Sequence, residues 1–194
     1  MNFRLLAEPG WVNAAIFVPF LCYSWWRRSR LSISRRHLLF TFLFAAAFGF
    51  AEGAVVVYLR ASVGLLPGVA GTLADVQQQA SEAYVQSFSL ASFPPSLLTV
   101  EIFREAATII MLLSTAALAS SRIREFCGVF LWEFATWDIA YYASLWLLVR
   151  WPTSIKSLDV LFLIPSPWIS QVWFPILVSA LSLVAVAATR AESG

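Results

Sequence analysis

Charge is scarce in this sequence: 12% of its 194 residues are charged, where a soluble domain carries about a quarter. With 60% of residues hydrophobic, a chain of this size cannot hide all its apolar surface in one interior, which excludes a surface solvated wholly by water. Histidine is almost missing. The single copy, His37, follows Arg35 and Arg36 at the edge of an apolar run, where it reads as an interfacial residue. Its isolation argues against haem, against zinc and copper sites, and against Glu-x-x-His di-iron centres, all of which recruit histidine or cysteine. Cysteine is limited to Cys22 and Cys127. Both stand near the arginine-rich ends of their runs, on the side expected to face a reducing compartment, so no disulfide is expected. There is no Walker motif, Gly-x-Ser-x-Gly or His-Glu-x-x-His, which leaves nucleotide binding and conventional hydrolysis without the residues they need. No basic run lies beside stacking aromatics in a polar setting, and nucleic acid is thereby excluded as a partner.

What the sequence does have is long apolar runs, and its mean hydropathy is +0.76. About 20 predominantly apolar residues cross a hydrocarbon core roughly 30 Å thick. Five segments approach that length: residues 11–26, which is short, then 38–59, 97–119, 126–149 and 169–189. The expected fold is an all-α integral membrane protein, a single membrane domain over residues 1–194 built as a bundle of about five transmembrane helices. The first run is followed rather than preceded by its arginines and has no small-residue cleavage site, so it reads as an anchor and not a signal peptide. Pro19 and Pro175 fall inside the first and fifth runs, where proline removes a backbone hydrogen bond and bends a helix.

Two kinds of connection join the runs. Residues 27–36 and 120–125 are short and basic, whereas 61–96 and 151–168 are long and semi-apolar. In the first long loop, residues 69–88 place Leu73, Val76, Ala80, Ala83, Tyr84 and Phe88 near helical spacing beside Gln77, Gln78, Gln79 and Glu82, the pattern of an amphipathic helix on the outer surface that ends at Pro94 and Pro95. The second has a charge-free stretch, Val160 to Ile164, before Pro165-Ser166-Pro167. It reads as a second outer segment, a short interfacial helix or a re-entrant one that dips beside a cavity. Arg27, Arg28, Arg30, Arg35, Arg36, Arg122, Arg124 and Arg190 gather on one side, against Arg4, Arg60, Arg150 and Lys156 on the other. The positive-inside rule makes the first side cytoplasmic in a bacterial-type inner membrane, with the N-terminus outside and the C-terminus inside. Tryptophans flank both ends of the runs, as in an aromatic belt.

The informative residues are charges inside the runs: Glu52 in the second, Glu101, Arg104 and Glu105 in the third, Glu133 and Asp138 in the fourth. Each costs about 2.5–3.5 kcal/mol at a bilayer centre on insertion scales, so each should face protein or water. Glu52 precedes Arg60 by eight residues, about 12 Å at the helical rise. Glu101 and Glu105 lie about 6 and 12 Å below the same outer surface, and Tyr142 and Asp138 about 12 and 18 Å below it. Glu101, Glu105 and Thr108 share one helical face, and Asp138, Tyr141, Tyr142 and Leu145 another. These depths predict one connected, outward-facing site containing Glu52, Glu101, Arg104, Glu105, Asp138 and Tyr142. Glu133, turned about 140° from Asp138, belongs to a lower site or an inter-subunit contact.

One arginine among Glu52, Glu101, Glu105 and Asp138 leaves negative charge that a low dielectric does not tolerate uncompensated. Protons on the carboxyls, a bound cation or entering water would balance it. Were a metal bound, the oxygen ligands Glu52, Glu105 and Asp138 would suit magnesium, calcium or manganese. A purely structural ion-pair network fixing helix register is the competing reading. Three functions therefore stand side by side: cation- or proton-linked transport or channel activity, an accessory subunit of a larger respiratory or photosynthetic membrane complex, and a membrane-embedded enzyme with an oxygen-ligated metal. The partners implied are the lipid bilayer and either further copies of the chain or the subunits of such a complex.

The orientation can be checked directly. A phosphatase domain fused after Gly194 should stay inactive, and the loop 27–36 should resist protease added to right-side-out cells; periplasmic activity of the fusion would reverse the topology.

Overall fold

The computed structural model describes residues 4–62 and 95–191. The amphipathic helix expected over 69–88 lies outside the described residues. Among them the chain is mostly helical. An eight-residue 3-10 helix, Gly10–Phe17, runs into α1 (Val18–Trp26), followed by α2 (Arg35–Ser62), α3 (Pro95–Leu118) and α4 (Ile123–Val149). Strands β1 (Leu158–Phe162) and β2 (Trp168–Gln171) then lead into α5 (Trp173–Thr189). By length and composition one described helix, Arg35–Tyr58 within α2, is long and apolar enough to cross a membrane, and α5 is apolar but shorter. The 24 residues of α3 and the 27 of α4 carry the internal charges other than Glu52, which stands in α2.

α4 is the central element, packing against α2, α5 and α3, while α1 packs on α5. The α2–α4 contact is close because α2 presents Gly49 and Gly53 one turn apart. A Cβ on Gly49 would stand 2.5 Å from the Trp137 carbonyl oxygen and 2.9 Å from the Ala140 Cβ, and one on Gly53 would run into the Ser144 hydroxyl. Small residues four apart on both helices, Gly49 and Gly53 against Ala140 and Ser144, let two backbones approach as in small-xxx-small pairs of membrane helices.

The two ends of the bundle are tied differently. At one end the strand-like Leu31 donates to Thr189 (3.0 Å) and accepts from Ala191 (2.9 Å), Arg30 reaches the Arg190 carbonyl, and Arg124 reaches that of Ser29. This brings the 27–36 loop, the start of α4 and the end of α5 together. At the other end Glu8 exchanges backbone bonds with Ile169 (2.8 and 2.7 Å), so the N-terminal segment is laid along the free edge of β2.

Three sequence expectations are corrected. Residues 151–168 form no helix: β1 pairs antiparallel with β2, Leu158 opposite Gln171, Asp159 opposite Ser170 and Val160 opposite Ile169, with an irregularity before Phe162 opposite Trp168. β-branched and aromatic residues such as Val160, Phe162, Trp168 and Ile169 favour strand pairing, which satisfies the backbone. For the same reason residues 169–171 belong to β2, and the fifth helix begins at Trp173. Pro175 stands in a first turn, as the third residue of α5, where the missing N–H has no intrahelical acceptor to lose; Pro19 falls where the 3-10 helix passes into α1.

The glycine contact makes a prediction. Gly49→Val should lower stability by about 1–3 kcal/mol or more through overpacking, read as a drop in the melting midpoint of the detergent-purified protein. Gly10→Ala, where a Cβ meets nothing within 4 Å, should leave the midpoint unchanged.

Candidate functional site

The close α2–α4 contact, the α3 face and the hairpin surround one cavity of about 130 Å³, lined among others by Glu52, Glu101, Arg104, Glu105, Asp138 and Tyr142. All six residues grouped by depth in the sequence therefore border a single space. The cavity also takes in Thr108, Trp137, Asp159 and Ser179.

Arg104 organises the α2–α3 side. Its Nε donates to both oxygens of Glu101 one turn earlier (3.1 Å each) and its NH2 to Glu101 Oε2 (2.9 Å), while NH1 forms an ion pair with Glu52. Glu52, 5% exposed, accepts a second bond from the Thr108 hydroxyl at 2.8 Å. Thr108 follows Arg104 by one turn and also donates to its carbonyl (3.1 Å), so spacing along α3 places the guanidinium and the hydroxyl on the same α2 carboxylate.

The other carboxylates have neutral partners. Glu105 Oε2 accepts the backbone N–H of Leu163 just beyond β1 (2.8 Å), which ties the hairpin to α3. Asp138 Oδ2 accepts the Ser179 hydroxyl of α5 (2.8 Å). The Tyr142 hydroxyl donates to Asp159 Oδ2 (2.7 Å), whose Oδ1 takes the N–H of Val160 (2.8 Å). Among the described residues neither Glu105 nor Asp138 forms an ion pair. Five carboxylates thus border the cavity, and Arg104 is the one cationic side chain among its described lining residues.

The metal expectation does not take the form of a three-carboxylate cage. Glu52 is held by Arg104 and Thr108, Glu105 by Leu163 and Asp138 by Ser179, and among the described residues no group of three or more His, Cys, Asp or Glu is arranged to hold a metal ion. Equal depth brings carboxylates to one level but leaves each turned toward a different element. Glu133 is separate, as its helical angle implies, and wholly buried inside the chain, where it accepts the Thr115 hydroxyl of α3 at 2.8 Å. The contact is intramolecular rather than between subunits.

Three contributors escaped the sequence reading: Asp159, Ser179 and Trp137. Asp159 was the findable one, a lone acid at the edge of a charge-free stretch. Aromatic rings of α4 and the hairpin complete the walls, with Phe134 stacked on Phe162 (6.0 Å), Trp137 on Tyr141 (6.1 Å), and Phe162 tilted against Trp168 (5.4 Å). Compared with protein-family models, curated proteins and solved structures, the chain matches none.

The Arg104 pair makes a prediction of its own. Arg104→Ala leaves Glu52 buried without its countercharge and should cost roughly 3–5 kcal/mol, whereas Arg104→Ala with Glu52→Gln should recover much of that loss. Chemical or thermal unfolding in detergent reads both, and equal losses in the single and double variants would refute the pairing.

Proposed function

We propose that the chain is a bacterial-type inner-membrane protein of about five spans whose cavity receives a cation or protons from the outer face in support of transport. The observation that carries this reading is inverted polarity. Leu39, Phe40, Phe103, Ile110 and Leu118 are more than half exposed, Leu118 at 88%, while Glu52, Glu105, Glu133 and Asp138 are buried. An apolar exterior of that extent around ionisable side chains belongs in lipid, where such groups turn inward.

Two further features support it. The first run, short as an α-helix, is lengthened by its 3-10 stretch: eight residues at 2.0 Å and nine at 1.5 Å give about 30 Å, the thickness of a hydrocarbon core. The arginine-rich loop 27–36, Arg122, Arg124 and Arg190 also share one end of the bundle, opposite the hairpin, so the positive-inside rule turns the cavity, roofed by the hairpin, outward.

One arginine facing five carboxylates leaves a negative interior that a mobile positive charge would balance. Because the carboxylates are engaged one by one by hydroxyls and amides, a singly charged cation or protons suit the cavity better than a divalent metal, which gathers six or more oxygens around itself.

The test is stabilisation of the purified chain by cations, with flux measured in proteoliposomes. A ligand at a hundred times its dissociation constant should raise stability by about 2.7 kcal/mol. Asp138→Asn and Glu105→Gln should remain folded, lose that increment and lose flux. Stability indifferent to every cation and to pH would overturn the reading, and co-purification in a defined heteromeric complex would favour the accessory-subunit role instead.

A further inference from the structure

The arginine-rich end of the bundle carries more charge than it uses. Arg30 and Arg124 each give a donor to a backbone carbonyl, of Arg190 and Ser29 respectively (3.3 Å each), and Arg122 lies 3.9 Å from Glu125, the acid in the first turn of α4. Arg27, Arg28, Arg35 and Arg36 are exposed, and their guanidinium groups form no ion pair or hydrogen bond among the described residues. They are nonetheless set on a fixed frame. Between the two pairs, Leu31 (1% exposed) and Ile33 (5%) plug into the core with Trp26, Leu38 and Val129, and both approach Gly128 so closely that a Cβ there would stand 3.0 and 3.2 Å from them. Leu31 is also bonded through its backbone to Thr189 and Ala191. The loop is thereby pinned at its middle, which holds Arg27-Arg28 and Arg35-Arg36 at the surface on either side.

Beside these guanidiniums the surface is apolar. Trp25 near the end of α1, and Leu39 and Phe40 near the start of α2, are exposed over about half their area, and the Arg36 guanidinium lies 5.7 Å from the centre of the Phe40 ring. The two neighbouring surfaces call for two things in one ligand. Unpaired guanidiniums call for an anion, and their forked donors match the oxygens of a phosphate. The rings and Leu39 call for hydrocarbon next to it. A free phosphate or an acidic polypeptide meets the first demand and leaves the second in water. A phospholipid of net negative charge meets both, whereas a zwitterionic one brings an ammonium that opposes the arginines.

We propose that this end of the bundle is a docking site for an anionic phospholipid of the inner leaflet, its phosphate held by Arg27, Arg28, Arg35 and Arg36 and its acyl chains lying against Trp25, Leu39 and Phe40. The site rests on the membrane placement and orientation proposed above and is independent of what enters the cavity at the other end. It asks for more than the positive-inside rule, which needs only positive charge on this side. Here the forked donors and their fixed frame make arginine itself matter.

The experiment titrates the full chain, in a maltoside detergent, with phosphatidylglycerol, phosphatidylcholine, glycerol 3-phosphate and polyglutamate. The melting midpoint should rise saturably with phosphatidylglycerol and much less with phosphatidylcholine at the same mole fraction. Glycerol 3-phosphate and polyglutamate, which carry the charge without acyl chains, should not reproduce the rise. Arg27→Lys, Arg28→Lys, Arg35→Lys and Arg36→Lys together keep the charge that sets topology and remove the forks. This variant should insert and fold as the parent does and should bind phosphatidylglycerol roughly threefold to tenfold more weakly, the worth of one hydrogen bond. Arg4→Gln with Lys156→Gln, at the opposite end, should leave the response unchanged. Should the fourfold variant fold poorly, Arg36→Lys alone replaces it and should weaken the response in the same direction. Equal responses to the two lipids, or a full response in the lysine variant, would leave only a diffuse positive field and overturn the site. Stabilisation by glycerol 3-phosphate or polyglutamate equal to that by phosphatidylglycerol would overturn the lipid as its occupant. In each of these cases the membrane reading stands. A chain that stays folded and monodisperse with neither detergent nor lipid would remove that reading and the docking site together.

Discussion

Arg104 is the interaction on which the cavity depends. α2 and α3 share little backbone contact, and what joins them at this depth is a guanidinium held by Glu101 on its own helix and paired with Glu52 across the gap, with Thr108 on the same carboxylate. A guanidinium suits this role because its fork of donors engages two carboxylates at once in fixed geometry, which an ammonium cannot do. Its charge is thereby committed to Glu52 and Glu101. Glu105, Asp138 and Asp159 accept from backbone amides and hydroxyls, which orient a carboxylate without neutralising it. The same device that fixes the helices therefore creates the charge imbalance that gives the cavity its proposed chemistry.

The hairpin performs two tasks that no helix at its position could. Its pairing with β2, and that of β2 with Glu8, satisfies irregular backbone close to the cavity, which apolar surroundings require. The ladder ends near Phe162, and the N–H that follows, on Leu163, is free to bond Glu105. Asp159, pointing inward from the same strand, receives Tyr142. The roof is thus fastened to α3 and α4 through hydrogen bonds to the same side chains that define the interior.

Helix depth was legible in the sequence because the rise of an α-helix is fixed: counting from Arg60, Leu97 and Arg150 brought Glu52, Glu105 and Tyr142 to one level, and all three border one space. Rotation and partner choice were less so. A count along a helix does not say that Asp138 turns to Ser179 on α5 or that Glu105 takes a backbone amide. The hairpin was hidden because a strand is specified by a partner distant in sequence, here residues 168–171 and Glu8, while the local signal of a few apolar residues between prolines fits several structures. Gly49 and Gly53 carried a legible packing signal, spaced as interhelical small residues are.

The vertical order of side chains bears on the proposed transport. Along α3 the sequence runs Thr108, Leu112, Thr115, and along α4 in the opposite direction Tyr141, Trp137, Glu133. Thr108 and Tyr141 line the cavity, and Thr115 and Glu133 form the buried pair below it. Between these polar levels sit Leu112 and Ala45, fully buried, with Trp137, packed against Phe44, Phe48, Phe130 and Phe134. A water-filled path could not cross such a layer, for close-packed apolar rings leave neither room nor hydrogen-bond partners for a file of water. The cavity is accordingly closed toward the arginine-rich end in this conformation. Under the proposed transport, passage beyond it would require Trp137 and its aromatic neighbours to repack, unlike in an open pore. Trp137 belongs both to the cavity wall and to this layer, so the wall of the cavity and the barrier between the two polar levels share one side chain.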